Sequence, residues 1–144
     1  RFLLSVEEFR IHLRHLQYKA GSGQLTKILN NMILFETVVA LSEAANIAEN
    51  YGMDVESLYE NITKSSGDSF ALRNHGLKSI AKNNFPTPAF SSEYALKDLT
   101  YALELGKKLN VKMPGALSAK ELLKTSIQNG DKDLYFPVMK KYFN

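Results

Sequence analysis

Residues 21–31, Gly21-Ser22-Gly23-Gln24-Leu25-Thr26-Lys27-Ile28-Leu29-Asn30-Asn31, open an apolar stretch that reaches Tyr51 without a further glycine or any proline. Leu25, Ile28, Leu29, Met32 and Ile33 recur at helical spacing, and from Met32 to Leu41 apolar residues wrap nearly all round. That pattern predicts one long helix, about Gly23 to Tyr51, buried on most sides. About 28 residues at a 1.5 Å rise make it roughly 40 Å long, a central strut for the whole domain. Gly52 supplies the stop. Gly21 and Gly23 allow tight turns and close approach of another group.

Lys27 and Asn31 lie one helical turn apart and share a face. The positive end of a helix disfavours a cation, and burial would also favour the neutral amine. A lysine so tuned can act as general acid or base. The plainer reading has Lys27 reaching solvent and Asn31 bonding a neighbouring loop, and for an isolated pair the plainer reading is favoured.

Toward the N-terminus, Ser5 with Glu8 resembles a capping box, and Phe9, Leu13 and Leu16 follow at helical spacing. Residues 10–14 also alternate like a strand, with helix preferred. His12 and His15 read as surface residues. Toward the C-terminus, Asp54 is expected to cap a helix of about Val55 to Lys64. Ser65-Ser66-Gly67-Asp68-Ser69 should break it, and a short helix of about Ser69 to Asn74 should stop at Gly76, with further turns over Leu77 to Lys82. Phe85 to Phe90 carries two prolines and should be extended. Ser91 or Ser92 should cap a strong helix to Leu109, and Pro114 should open another to Gln128 with Leu117, Leu122, Leu123 and Ile127 inward. Asn129-Gly130 ends that one, and Phe136 to Tyr142 forms a last short helix. The reading is an all-α domain around one long buried helix.

With 144 residues, 44% hydrophobic and 23% charged, the chain fits one soluble domain with a sizeable core. A net charge of +3 is too small and too even to mark a nucleic-acid surface. The absence of cysteine excludes disulfides and thiol chemistry, and no histidine cluster offers a metal site. A reducing interior, cytoplasm or mitochondrial matrix, is expected. No apolar run looks long enough for a membrane, since Glu36 and Thr37 interrupt the best one. The chain opens on Arg1, as expected of a piece of a longer protein.

Other polar features weigh less. Lys97 and Asp98 point about 100° apart on a helix, so both cannot face one site, and a solvated pair is the simpler reading. The Ser65–Ser69 segment could hold an anion on backbone N–H groups, though a plain turn is favoured. Glu36 could pair with a lysine or reach solvent. No dinucleotide fingerprint is present, because Gly21-x-Gly23 lacks the third glycine and the preceding strand.

The opening stretch resembles the G-x-G-x-x-x-K-x-x-x-N signature of the β-hydroxyacid dehydrogenases, the family of 3-hydroxyisobutyrate and 6-phosphogluconate dehydrogenases. Ser42-Glu43-Ala44, Gly52-Met53-Asp54, Ser65-Ser66-Gly67-Asp68-Ser69, Lys97-Asp98-Leu99, Pro114 and Asp133 to Phe136 follow in the family's order. The resemblance covers roughly residues 20–143. It implies a 6-phosphogluconate dehydrogenase C-terminal-domain-like helical domain over 21–144, with 1–20 the tail of an N-terminal Rossmann domain or a linker. It further implies NAD or NADP held mainly by that absent domain, and a small 3-hydroxy acid as substrate. Lys27 would be the catalytic acid/base, Gly21, Gly23 and Asn31 would bind substrate, and Lys97 would reach the cofactor. The protein is expected to be a homo-oligomer without nucleic-acid or membrane partners, and the fragment alone to be inactive. The rival readings are a non-catalytic dimerisation or scaffold module and a reductase of glyoxylate or succinic semialdehyde.

Overall fold

The computed structural model describes residues 21–143, so the expectations for residues 1–20, including the helix after Ser5, His12 and His15, lie outside the described residues. Helix α1 (Gly21–Tyr51) is continuous over 31 residues. It packs against every other element: α2 (Val55–Ile62), a π-helix (Leu72–Ile80), α3 (Ser92–Lys108), α4 (Pro114–Gln128) and a closing 3₁₀ helix (Phe136–Tyr142). No strand occurs among the described residues, only an isolated bridge between Ser91 and Tyr135.

The helix ends follow their capping chemistry. Asp54 accepts from the Ser57 N–H at 2.8 Å, and Ser91 accepts from the Tyr94 N–H at 3.3 Å. Pro114 occupies the first turn of α4. Gly52 and Gly130 stop α1 and α4 with φ of +85° and +92°, a region other residues rarely adopt. The bridge to the chain end is backbone too: Phe136 N–H donates to Phe90 O at 2.9 Å and Ser92 N–H to Leu134 O at 2.9 Å.

Phe35, Val38, Leu41, Ala45 and Ala48 form the buried face of α1. Phe35 meets Phe90 and Phe136 at ring-centroid distances of 5.8 and 5.1 Å. From α4 the buried residues are Ala116, Ala119, Leu123 and Ser126, of which the alanines and the serine are small enough to let this helix approach closely, whereas Leu117 is 51% exposed and lies off the core. Tyr59 of α2 is fully buried, and its hydroxyl donates to Leu41 O at 2.6 Å.

Several expectations change. The apolar residues of α1 are not enclosed all round: Ile33, Ile47 and Tyr51 are 61%, 71% and 84% exposed. Glu36 and Thr37 do not interrupt the helix, and by length and mean hydropathy Gly23–Tyr51 would suffice to cross a bilayer. Its packing against five other elements accounts for the apolarity of its buried face. Gly21 and Gly23 form helix rather than a turn. Gly76 is no stop. It sits buried inside the π-helix, where an added Cβ would lie 3.2 Å from the Tyr59 ring. Close packing on α2 therefore explains the glycine, and Ala81 N–H donates five residues back to Gly76 O at 2.9 Å.

Candidate functional site

The N-terminal turns of α1 carry Lys27 and Asn31 on one face, as their spacing requires. Lys27 is exposed and is the seventh residue of the helix, beyond its first turn. Among the described residues neither the burial nor the helix-end field expected from the sequence is therefore supplied. Asn31 is half-buried. Its Nδ2 donates to Asp98 Oδ2 of α3 at 2.8 Å, and its Oδ1 receives a long contact of 3.4 Å from Asn30 Nδ2.

Asp98 is the residue the sequence reading passed over. Of the neighbouring pair on α3, Lys97 is exposed while Asp98 is half-buried and turned toward α1. The two diverge as the 100° spacing requires, and Asp98 is not the solvated residue expected of it. Its position beside buried Leu99 was the available signal. No ion pair joins Asp98 to Lys27 or Lys97.

The Ser65–Ser69 segment is a turn that satisfies itself. Arg73 forks onto Asp68 at 2.9 Å from both Nε and Nη2, holding that carboxyl below its ordinary range, and Ser69 Oγ accepts from Leu72 N–H at 3.0 Å. Phe70, 74% exposed, follows it. Between Ser69, Phe70 and the α1 residues Asn30, Ile33 and Thr37 lies an uncharged cleft of about 410 Å³. A larger groove, about 650 Å³, runs between α3 and α4 over Leu103, Met113 and Leu117 with Lys107, Lys112 and Lys120 at its edge. Glu36 pairs with no lysine among the described residues. Its carboxylate rests on Gly115 at the start of α4, where an added Cβ would lie 2.3 Å from Oε2.

Behind Phe70, the Tyr135 hydroxyl and His75 Nδ1 share a hydrogen bond inside an aromatic cluster with Phe136. Burial, with the charge of Lys78 beside it, holds His75 below the ordinary 6.5. The folded state thus takes up that proton at lower pH than the unfolded chain. The stability tied to neutral His75 is complete above pH 6.5 and is lost as the pH falls from there through the lower folded value. Urea midpoints should fall over this window in the wild type. His75→Gln, which can still bond Tyr135, should remove that part of the slope; an unchanged slope would show that His75 does not set it.

The residues contain no phosphate-cradling glycine loop, and no group of three metal-ligating side chains occurs among the described residues. Lys97, on α3, is exposed.

Residues 21–142 match the family described as NAD-binding of NADP-dependent 3-hydroxyisobutyrate dehydrogenase. Among curated relatives, the chain is 35% identical to 2-(hydroxymethyl)glutarate dehydrogenase of Eubacterium barkeri, over 71% of this chain and 34% of the relative. It is 32% identical to 2-hydroxy-3-oxopropionate reductase of Escherichia coli, over 79% of this chain and 38% of the relative. Among solved structures, the 3-hydroxyisobutyrate dehydrogenase of Mycobacterium tuberculosis with L-serine superposes with a TM-score of 0.76 at 29% identity, covering 87% of this chain and 44% of that one. The chain spans less than half the length of each of these relatives. The described residues form a helical domain with the fold of a part of the Mycobacterium tuberculosis dehydrogenase. The chain belongs to the NAD-binding domain family of NADP-dependent 3-hydroxyisobutyrate dehydrogenase.

Proposed function

We propose that the full-length protein is an NAD(P)-dependent dehydrogenase of a small 3-hydroxy acid, 3-hydroxyisobutyrate or a close analogue, working also as reductase of the matching semialdehyde. The carrying observation is that Lys27 and Asn31 share one face of α1, with Asn31 already bonded to α3, within a family match that covers both residues. An N-terminal Rossmann domain, with residues 1–20 at its end, would hold the nucleotide. Lys97 is a cation suited to one contact with it. The nicotinamide, when bound, accepts or returns the hydride.

Lys27 does the proton work. In oxidation its neutral amine takes the hydroxyl proton as the carbon loses hydride; in reduction its ammonium returns that proton to the developing alkoxide. Asn31 would hold the substrate without adding a competing charge, and Gly21 and Gly23 would leave room for it at the helix start. Among the described residues nothing within 4 Å would meet a Cβ added at Gly23, which suits approach of a substrate or a second domain on that side of α1. The exposed Ile47 and Tyr51 on α1 suit a contact between copies in a homo-oligomer. An intracellular compartment fits this chemistry.

The test is turnover by the full-length protein with 3-hydroxyisobutyrate and NAD or NADP, followed as reduced nicotinamide. Product formed by the wild type and lost in the Lys27 variant is the expected result. No hydride transfer with this or related hydroxy acids, in a folded protein, would favour the non-catalytic dimerisation module.

A further inference from the structure

We propose that Asp98 is a positioning residue that fixes which way the Asn31 amide points, so that Asn31 offers its oxygen to the substrate hydroxyl. The proposal rests on the reading of Lys27 and Asn31 as the site.

The argument begins with what a carboxylate can do. Asp98 carries no N–H and can only accept, so the 2.8 Å contact must be made by Asn31 Nδ2. A free asparagine amide is close to two-fold symmetric in shape and turns over easily. Turning it here would set Oδ1 against Asp98 Oδ2, acceptor against acceptor. The interhelical bond therefore excludes the flipped amide. It is charge-assisted and half-buried, which strengthens it. With Nδ2 committed, Oδ1 receives only the long, exposed contact from Asn30 among the described residues, and a carbonyl oxygen has a second lone pair for a ligand.

Lys27 lies one turn N-terminal on the same face. A hydroxyl bound between the two side chains has a partner in either protonation state. When Lys27 is an ammonium, the hydroxyl oxygen accepts from Nζ and its proton goes to Asn31 Oδ1. When Lys27 is neutral, the same proton is donated to Nζ, ready for transfer. A flipped amide would present N–H donors to a group already facing a donor. Lys97-Asp98 thus divides its work, with Lys97 outward and Asp98 holding the amide.

Magnitudes set the design of the test. Asp98→Asn can still accept through its own oxygen, so it only permits the flip and should raise KM for the hydroxy acid about twofold to threefold. Asp98→Leu has the same branching but no acceptor, so both orientation and rotamer are released, and KM should rise about tenfold with kcat within about threefold. Both effects should vanish in an Asn31→Ala background, because there is no amide left to orient. These kinetics are measured on the full-length protein alongside its melting temperature.

An unchanged KM in Asp98→Leu overturns the proposal. So does an equal rise with and without Asn31, since Asp98 would then act through something else. If Asp98→Leu does not fold, Asp98→Asn is read by the same comparison. Turnover that survives in Lys27→Ala would sink the underlying site reading, whatever Asp98 does.

Discussion

Lys27→Ala in the full-length protein is expected to lower kcat by about a hundredfold to ten-thousandfold, the usual span for loss of a positioned acid–base group. The side chain is exposed, so its removal should leave stability within about 0.5 kcal/mol of wild type. That separation makes the experiment clean: a large kinetic loss without a shift in melting temperature belongs to chemistry. Lys27→Arg is expected to fail nearly as badly. A guanidinium keeps the positive charge but holds its proton to above about pH 12, so it cannot cycle between acid and base. If Lys27→Arg retained most activity, charge stabilisation rather than proton transfer would be the contribution of Lys27. If Lys27→Ala stayed within a few fold of wild type, Lys27 would have no place in the mechanism.

The same residue marks the limit of what the chain alone supplies. The sequence pointed to a lysine tuned by burial and by the helix end, and the structure provides neither in residues 21–143. In the proposed function that environment comes from the second domain, so that Lys27 and Asn31 would be one half of a site that the second domain completes.

Helix positions and ends were legible because they rest on local chemistry. Asp54, Ser91, Pro114, Gly52 and Gly130 act on backbone groups within a few residues, so their spacing in the sequence suffices. The misreadings involve contacts between elements. Gly76 looks like a terminator until Tyr59, distant in sequence, is seen packed against it. The Met32–Leu41 segment looks enclosed because apolarity does not say which surface will cover it, and Ile33 stays open in this domain. Asp98 looks solvated because its partner, Asn31, is on another helix. The aromatic cluster around His75 escaped for the same reason, since Tyr135 and Phe136 arrive from the far end of the chain. Of the proposed site, Lys27 and Asn31 were readable from one helix, whereas Asp98, on another, was not.

Glu49→Ala is expected to destabilise the domain by about 3 kcal/mol, and Lys140→Met by less than about 1.5 kcal/mol, although both remove the same ion pair. The asymmetry follows from burial. Lys140 Nζ lies 2.5 Å from Glu49 Oε1 and 3.2 Å from Asn83 Oδ1, with side-chain exposures of 7% for Lys140 and 40% for Glu49. Removing Glu49 strands an ammonium that water can scarcely reach, with only the Asn83 carbonyl left to it among the described residues. Removing the ammonium leaves a carboxylate already open to solvent, while methionine fills the space of the lysine stem. The backbone link beside it, Asn46 Nδ2 to Lys140 O at 3.1 Å, survives in both variants. Urea unfolding of the helical domain within the full-length protein reads the difference. Equal losses in the two variants would mean that the pair is worth its Coulomb attraction alone and that burial of the ammonium costs little. Through this pair the last helix is pinned to the C-terminal end of α1, well away from Lys27. The stability change should therefore leave kcat unaltered at temperatures where both variants stay folded.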